Sequence, residues 1–351
     1  MKRCQFALRK PLLMATAVFI FILLTACAPT TQEVSAADPI PTQAVIATVP
    51  PTETATPLPT ATTPPSPTPT STPTATPTAT ATPSPTPTAT PSPTPIPEGK
   101  LVNGLYVDEF IILPPEVQTH VREIYALGQE MGRDPEAFSK LGDSGAASPD
   151  FLVRFGQRDY DLAQYDYLQE TIDYYKGSFR RLGPTLIIGL HATAVFAPEL
   201  MNMEMCDAEL DTDILDCEFR LHNPSILLIL LGTNDQSDQF HARMEKIVNY
   251  TMERGIVPVL FTKADRFEGE DGHNNVSVRQ IAAQYQLPLV DFDHLAETLP
   301  NRGMGHDGVH LTWYGPFEYS SAEPFERGYP MLNLSTIMML DALRDTIQEE
   351  N

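Results

Sequence analysis

The chain is poor in positive charge, in cysteine and in apolar runs long enough to cross a bilayer. Its 23 Lys and Arg stand against 45 Asp and Glu, a net charge of −22. Phosphate backbones are held by clustered Lys and Arg, so this deficit argues against a nucleic acid partner. Acidity of this degree reads as a solvated surface rather than a site for a cationic ligand. Cysteine occurs four times, at positions 4, 27, 206 and 217. That is too sparse for a thiolate metal centre. The apolar run Pro11 to Leu24 falls short of the ~20 residues a membrane-spanning helix needs.

What the amino terminus does contain is an export pattern. Lys2, Arg3, Arg9 and Lys10 flank the start of the apolar run, which ends in Leu24-Thr25-Ala26-Cys27. A basic start, a short apolar core and small residues before a break describe a signal peptide. The last four residues resemble a bacterial lipobox, which implies lipidation of Cys27 and a membrane anchor; an ordinary secretory signal with an incidental cysteine is the alternative. Export leaves Cys206 and Cys217, eleven positions apart. Outside the cytoplasm these are expected to form a disulfide, whose closure of so short a loop contributes roughly 2 to 3 kcal/mol.

Residues 28–98 alternate Pro with Thr, Ala and Ser and carry almost no charge, as in Thr68-Pro69-Thr70-Ser71-Thr72-Pro73. Such a segment cannot bury enough apolar surface to fold. It is expected to be a disordered spacer of extended, polyproline-like geometry, reaching about 200 Å at roughly 3.1 Å per residue. Residues 99–351 remain for one sizeable domain with its own core.

Within that domain the organising stretch is Ser225 to Asp235, SILLILLGTND. Six consecutive apolar residues ending at a glycine read as a strand covered on both faces of a parallel sheet. Strands are also expected at Ala137–Leu141, Thr185–Ile188, Ile256–Phe261 and Leu287–Phe292. Helices are expected from Pro115 to Gly132, Phe240 to Met252, Val276 to Tyr285 and Met331 to Ile347, with a Tyr-rich insertion at 159–176. Tyr160, Tyr165 and Tyr167 there read as packing or as a sugar-stacking wall. Alternation of strands and helices predicts an α/β domain, a three-layer α/β/α sandwich around a mostly parallel five-stranded sheet. Polar clusters then fall where strands end, the customary place for chemistry in such sheets.

A serine hydroxyl attacks a carbonyl only when a base takes its proton, and the base needs an orienting group. Ser144, His310 and Asp307 supply these types, and a turn through Gly308 brings Asp307 and His310 to one side. An oxyanion needs donors, which the backbone at Ser144, a strand-end glycine and the Asn234 amide can provide. His306 and His310, four apart, resemble a zinc pair, but Gly308 between them is a poor helix residue and no third ligand is evident. Lys263 and Asp265, after the fourth strand, read equally as cleft lining or as an ion pair. Asp235 or Ser237 read as caps of the next helix.

Gly142-Asp143-Ser144, Gly232-Thr233-Asn234-Asp235 and Asp307-Gly308-Val309-His310, in this order, resemble the blocks of the SGNH or GDSL hydrolases. The resemblance covers residues 137–315. It implies a flavodoxin-like sheet, Ser144 as nucleophile, Asp307 and His310 as the rest of the triad, and an oxyanion hole of Ser144, Asn234 and a glycine. The family's glycine-rich block is the one departure. Gly189 is the best-placed candidate, ahead of Gly177 and Gly183.

The resulting expectation is a lipid-anchored, extracytoplasmic serine esterase at the bacterial surface or envelope. It uses no metal or organic cofactor and acts on small acyl groups carried by a glycan. O-acyl transfer by the same triad and non-catalytic glycan binding are the alternatives.

Overall fold

A computed structural model describes residues 101–315 and 317–348. The export segment 1–27 with Cys27 and the spacer 28–98 lie outside the described residues. No helix among the described residues is long and apolar enough to cross a membrane.

Five strands form the central sheet: β1 (Ile111–Ile112), β2 (Asp134–Gly142), β3 (Pro224–Leu230), β4 (Val257–Phe261) and β5 (Leu289–Val290). Their spatial order is β1-β5-β4-β3-β2. β2 to β5 are parallel, and β1 pairs antiparallel with β5 at one edge. Ser225 to Ile229 on β3 are at most 1% exposed, as a strand flanked on both sides and covered on both faces requires.

One member of the sheet differs from expectation. Thr185–Ile188 is not a ladder strand but makes a single parallel bridge, Leu186 to Gly142, at the tip of β2. The Gly142 N–H donates to Thr185 O at 3.1 Å and the Ile187 N–H to Gly142 O at 3.2 Å. The chain then turns at once, with Leu190 N–H donating to Ile187 O at 2.9 Å, so pairing stops after one bridge. The fifth place belongs to β1, whose two residues are too few to show a periodicity.

The helices are α1 (Pro115–Glu130), α2 (Ser144–Ala147), α3 (Gln169–Tyr174), α4 (Ile214–His222), α5 (Phe240–Met252), α6 (His273–Gln284), α7 (Phe292–Ala296) and α8 (Gly328–Gln348). α1 packs on α8 and α5 on α6, covering the two faces of the sheet. α4 stands where the sequence reads as a polar stretch; Asp213 caps it, accepting from the Leu215 and Asp216 N–H groups. Cys217 on α4 is joined to Cys206 in a disulfide. The tyrosines of the insertion pack: Tyr165 is 4% exposed and sits edge-on to Tyr319 at 6.0 Å, while Tyr160 lies 5.1 Å from the Phe155 ring.

The register sets the site. Gly142 at the end of β2 lies opposite Leu230 at the end of β3. The segments that follow, one carrying Ser144 and the other Asn234, therefore leave the sheet side by side.

Candidate active site

Ser144 opens α2 directly after β2. Asp143, just before it, caps that turn, its Oδ1 accepting from the Gly145 N–H at 2.9 Å. From the other end of the domain, the chain at Gly305–Gly308 forms a turn in which Gly308 takes φ +67, left-handed backbone suited to glycine. The turn is closed by Gly308 N–H to Gly305 O at 3.2 Å and Gly305 N–H to His310 O at 2.7 Å. It delivers His310 to Ser144: the Ser144 Oγ and His310 Nε2 are 3.0 Å apart. On its far side His310 Nδ1 lies 2.7 Å from Asp307 Oδ2.

The other oxygen of Asp307 accepts from the Val309 and His310 N–H groups at 3.1 and 3.0 Å. The imidazole first, and then these backbone donors, hold the Asp307 carboxyl well below the usual range. An ionised Asp307 accepts from Nδ1–H, which leaves Nε2 as the acceptor for the serine proton. With both ring nitrogens engaged, His310 is not free to pair with His306 on a metal.

The tip of β3 is built to present Asn234. Gly232 has φ +128, and a Cβ there would stand 2.8 Å from Lys263 Cε, so any other residue would displace that buried ammonium arm. Asn274 on α6 donates from Nδ2 to Gly232 O at 2.8 Å and to Asp235 O at 2.7 Å, pinning the loop from beneath. Asn234 Nδ2 donates to Asp143 Oδ2 at 2.9 Å and lies 3.4 Å from Leu190 O. Asp143 thus spans both loops, one oxygen on the serine turn and the other on the asparagine. Burial pushes its carboxyl up.

Asp235 does not cap a helix. It points inward, its Oδ1 accepting from the Ala192 N–H at 2.8 Å, and burial pushes its carboxyl up to about 6. Gly189 lies in the turn after Ile187 with φ +79. It lines a neighbouring surface groove with Ile188, His191 and Thr193, and connects to the site through the contact of Leu190 O with Asn234. Gly183 faces Glu218 and Gly177 faces Arg181, neither of them in the site.

Two hollows meet at His310. The inner one, about 70 Å³, runs from Ser144 and His310 into apolar walls that include Ala146, Leu230, Phe261, Phe292 and Leu332. Lys263 and Asp265 close part of it. They are cleft lining and an ion pair at once, for Lys263 Nζ donates to Asp265 Oδ1 at 3.0 Å and to Glu268 Oε2 at 2.8 Å. The outer hollow is a shallow groove of about 430 Å³ bordered by Asp307, His310, His306, Trp313 and Arg327. Sequence reading passed over Asp143 as a positioning group, Asn274 and Trp313. Trp313 carried a signal, being the chain's single tryptophan and only three residues past His310.

No family model matches this chain, and no curated protein does. Solved structures of similar fold include the psychrotrophic esterase EstA from Pseudoalteromonas sp., 14% identical, with a TM-score of 0.39 over 60% of this chain and 99% of that one. A GDSL-like lipase from Bacteroides thetaiotaomicron is 12% identical, with a TM-score of 0.35 over 65% of this chain and 98% of that one. The acetylxylan esterase Axe2 from Geobacillus stearothermophilus is 16% identical, with a TM-score of 0.36 over 58% of this chain and 93% of that one.

Proposed function

We propose that the protein is a serine esterase of the SGNH/GDSL type, hydrolysing carboxylic esters through an acyl-Ser144 intermediate. The carrying observation is the continuous relay from Ser144 Oγ to His310 Nε2 at 3.0 Å and from His310 Nδ1 to Asp307 at 2.7 Å. The reaction follows from these contacts. Ser144 Oγ attacks the ester carbonyl carbon as His310 Nε2 takes its proton, and Asp307 stabilises the imidazolium that forms. The carbonyl oxygen becomes an oxyanion, met by the Ser144 N–H and by the Asn234 amide, whose Nδ2 exchanges its long 3.4 Å bond to Leu190 O for this one. Collapse breaks the bond to the alcohol, which leaves with the proton from Nε2–H. Water then repeats the attack on acyl-Ser144, His310 again taking the proton, and releases the carboxylic acid and free serine.

The inner hollow supports a short acyl group. At about 70 Å³ with apolar walls it suits an acetyl-sized group and not a fatty chain. The amino-terminal pattern and the Cys206–Cys217 disulfide support an extracytoplasmic, lipid-anchored protein, because disulfides persist in oxidising compartments. A long spacer between anchor and domain favours acyl groups on wall or environmental polysaccharide as the substrate.

The test is p-nitrophenyl acetate turnover by the full chain, wild type beside Ser144→Ala, with intact mass after a fluorophosphonate probe. Turnover and a single adduct, both lost in Ser144→Ala, are expected. A folded wild type that neither turns over nor labels would remove the esterase reading and leave glycan binding.

A further inference from the structure

We propose that Trp313, Arg327 and His306 form a subsite for a neutral pyranose ring, the sugar that carries the ester on its way into the triad. The assignment rests on the esterase reading for its role but on separate observations for its place. Trp313 is 61% exposed, although an indole is among the largest apolar surfaces a protein can bury. It borders the outer groove, whose wall also contains Asp307 and His310. His310 and Leu311 belong to both hollows. An ester bond placed at Ser144 therefore has its acyl side facing the inner hollow and its alcohol side facing Trp313.

The platform is held in place. Thr312, immediately before Trp313, donates from N–H to Gly303 O at 2.8 Å and receives Tyr329 N–H on its carbonyl at 2.9 Å. Its Oγ1 donates to Gly303 O at 2.9 Å and accepts from Gly328 N–H at 2.9 Å. The ring edge rests beside Gly315, where a Cβ would meet the indole at 3.8 Å. The Thr312 bonds fix the backbone that carries the indole, which lowers the ordering cost of binding there.

The chemistry of the groove selects the ligand. One flat apolar face shares the groove with hydrogen-bonding groups, the Arg327 guanidinium and the exposed His306. Arg327 engages Glu323 through Nη2 at 3.0 Å, while its buried Nε has no hydrogen-bond partner among the described residues. A pyranose offers the matching pattern, an apolar C–H face to stack and hydroxyls at its edge to accept from a guanidinium. An alkyl chain would need a continuous apolar wall, and among the described residues Leu311 and the indole are the groove's only apolar side chains.

Because the chain has one tryptophan, its emission reports on this groove. The full-length Ser144→Ala variant, which binds without turnover, is titrated with partly acetylated oligosaccharides of glucose, xylose and N-acetylglucosamine, and separately with lysophosphatidylcholine micelles. A saturable shift of emission to shorter wavelength with at least one oligosaccharide and none with the lipid is expected. In otherwise wild-type protein, Trp313→Ala is expected to raise KM for that oligosaccharide by about three- to tenfold, the scale of one stacking contact. Its kcat/KM on methyl acetate, whose alcohol offers no ring to stack on the indole, should stay within about twofold. Emission unmoved by every sugar, or a response to the lipid alone, overturns the subsite even if p-nitrophenyl acetate is turned over. Equal losses by Trp313→Ala on both substrates overturn it as well. A sugar-dependent shift in a protein without esterase activity keeps the subsite and removes the esterase reading.

Discussion

Asp143 Oδ2 accepts a hydrogen bond from Asn234 Nδ2 at 2.9 Å while its Oδ1 accepts from the Gly145 N–H. The residue before Ser144 thus orients the side chain proposed to meet the oxyanion. Asn234→Ala is expected to lower kcat on p-nitrophenyl acetate by about 10²- to 10³-fold with KM little changed, the loss of one preorganised donor. Asp143→Asn, in which the amide pairing is disrupted and the turn is kept, should lower kcat in the same direction. An Asn234→Ala enzyme with unchanged kcat would place the oxyanion elsewhere.

Asp307 is held ionised by His310 and two backbone donors. Its carboxyl is therefore depressed in the folded state, so its contribution is complete above the ordinary carboxylate value and is lost progressively as pH falls from that value through the depressed one. The activity profile is then expected to show no step from Asp307 across the ordinary carboxylate range. Asp307→Asn should reduce kcat by about 10⁴-fold by favouring the wrong tautomer. A step in the wild-type profile at the ordinary carboxylate value that is lost in Asp307→Asn would contradict this arrangement.

On the proposed function the inner hollow would set acyl chain length. With p-nitrophenyl esters from two to eight carbons, kcat/KM is expected to fall steeply after the shortest acyl groups, because overpacking a closed apolar site is costly. Leu332→Ala opens the α8 side of the hollow; it should move the preference to longer acyl groups, at a cost of about 2 to 5 kcal/mol in stability. Equal turnover of two- and eight-carbon esters by the wild type would exclude the hollow as the acyl site.

Asp235 is 3% exposed, and its carboxyl is raised from 3.8 to about 6. Between those values the folded state holds a proton that the unfolded state has released. Stability is therefore expected to fall as pH rises from about 4 to 6 and to level off above, by on the order of 1 to 3 kcal/mol from this group. Asp235→Asn keeps an acceptor for the Ala192 N–H and cannot ionise. Thermal melts across that range should show its slope flattened relative to wild type, and identical slopes would refute the assignment.

The legible parts of this molecule were those written in contiguous residues. Ile226 to Leu231 announces a strand with no wet face, and Asp307 with His310 announces a hydrogen-bonded pair across one turn. What resisted reading was set by partners far along the chain. Ile111–Ile112 becomes a strand only because β5 offers an edge, and Thr185–Ile188, strand-like by itself, finds only the tip of β2. Asn274 looks like an ordinary helix residue until its amide is seen tying down Gly232 and Asp235. Asp143 lay in plain view within Gly-Asp-Ser, but its second oxygen acquires a purpose only when β2 and β3 are in register.

The side chains of Asp307 and His310 are 54% and 50% exposed, and the groove beyond them is shallow. Among the described residues no tunnel has to be threaded, so on the proposed function an ester hanging anywhere along a polymer could be brought to Ser144 without a chain end. A hydrolase of this shape would strip side groups from the interior of a long or cross-linked material. It would leave the backbone at its original length and change instead its solubility and its packing against neighbouring chains.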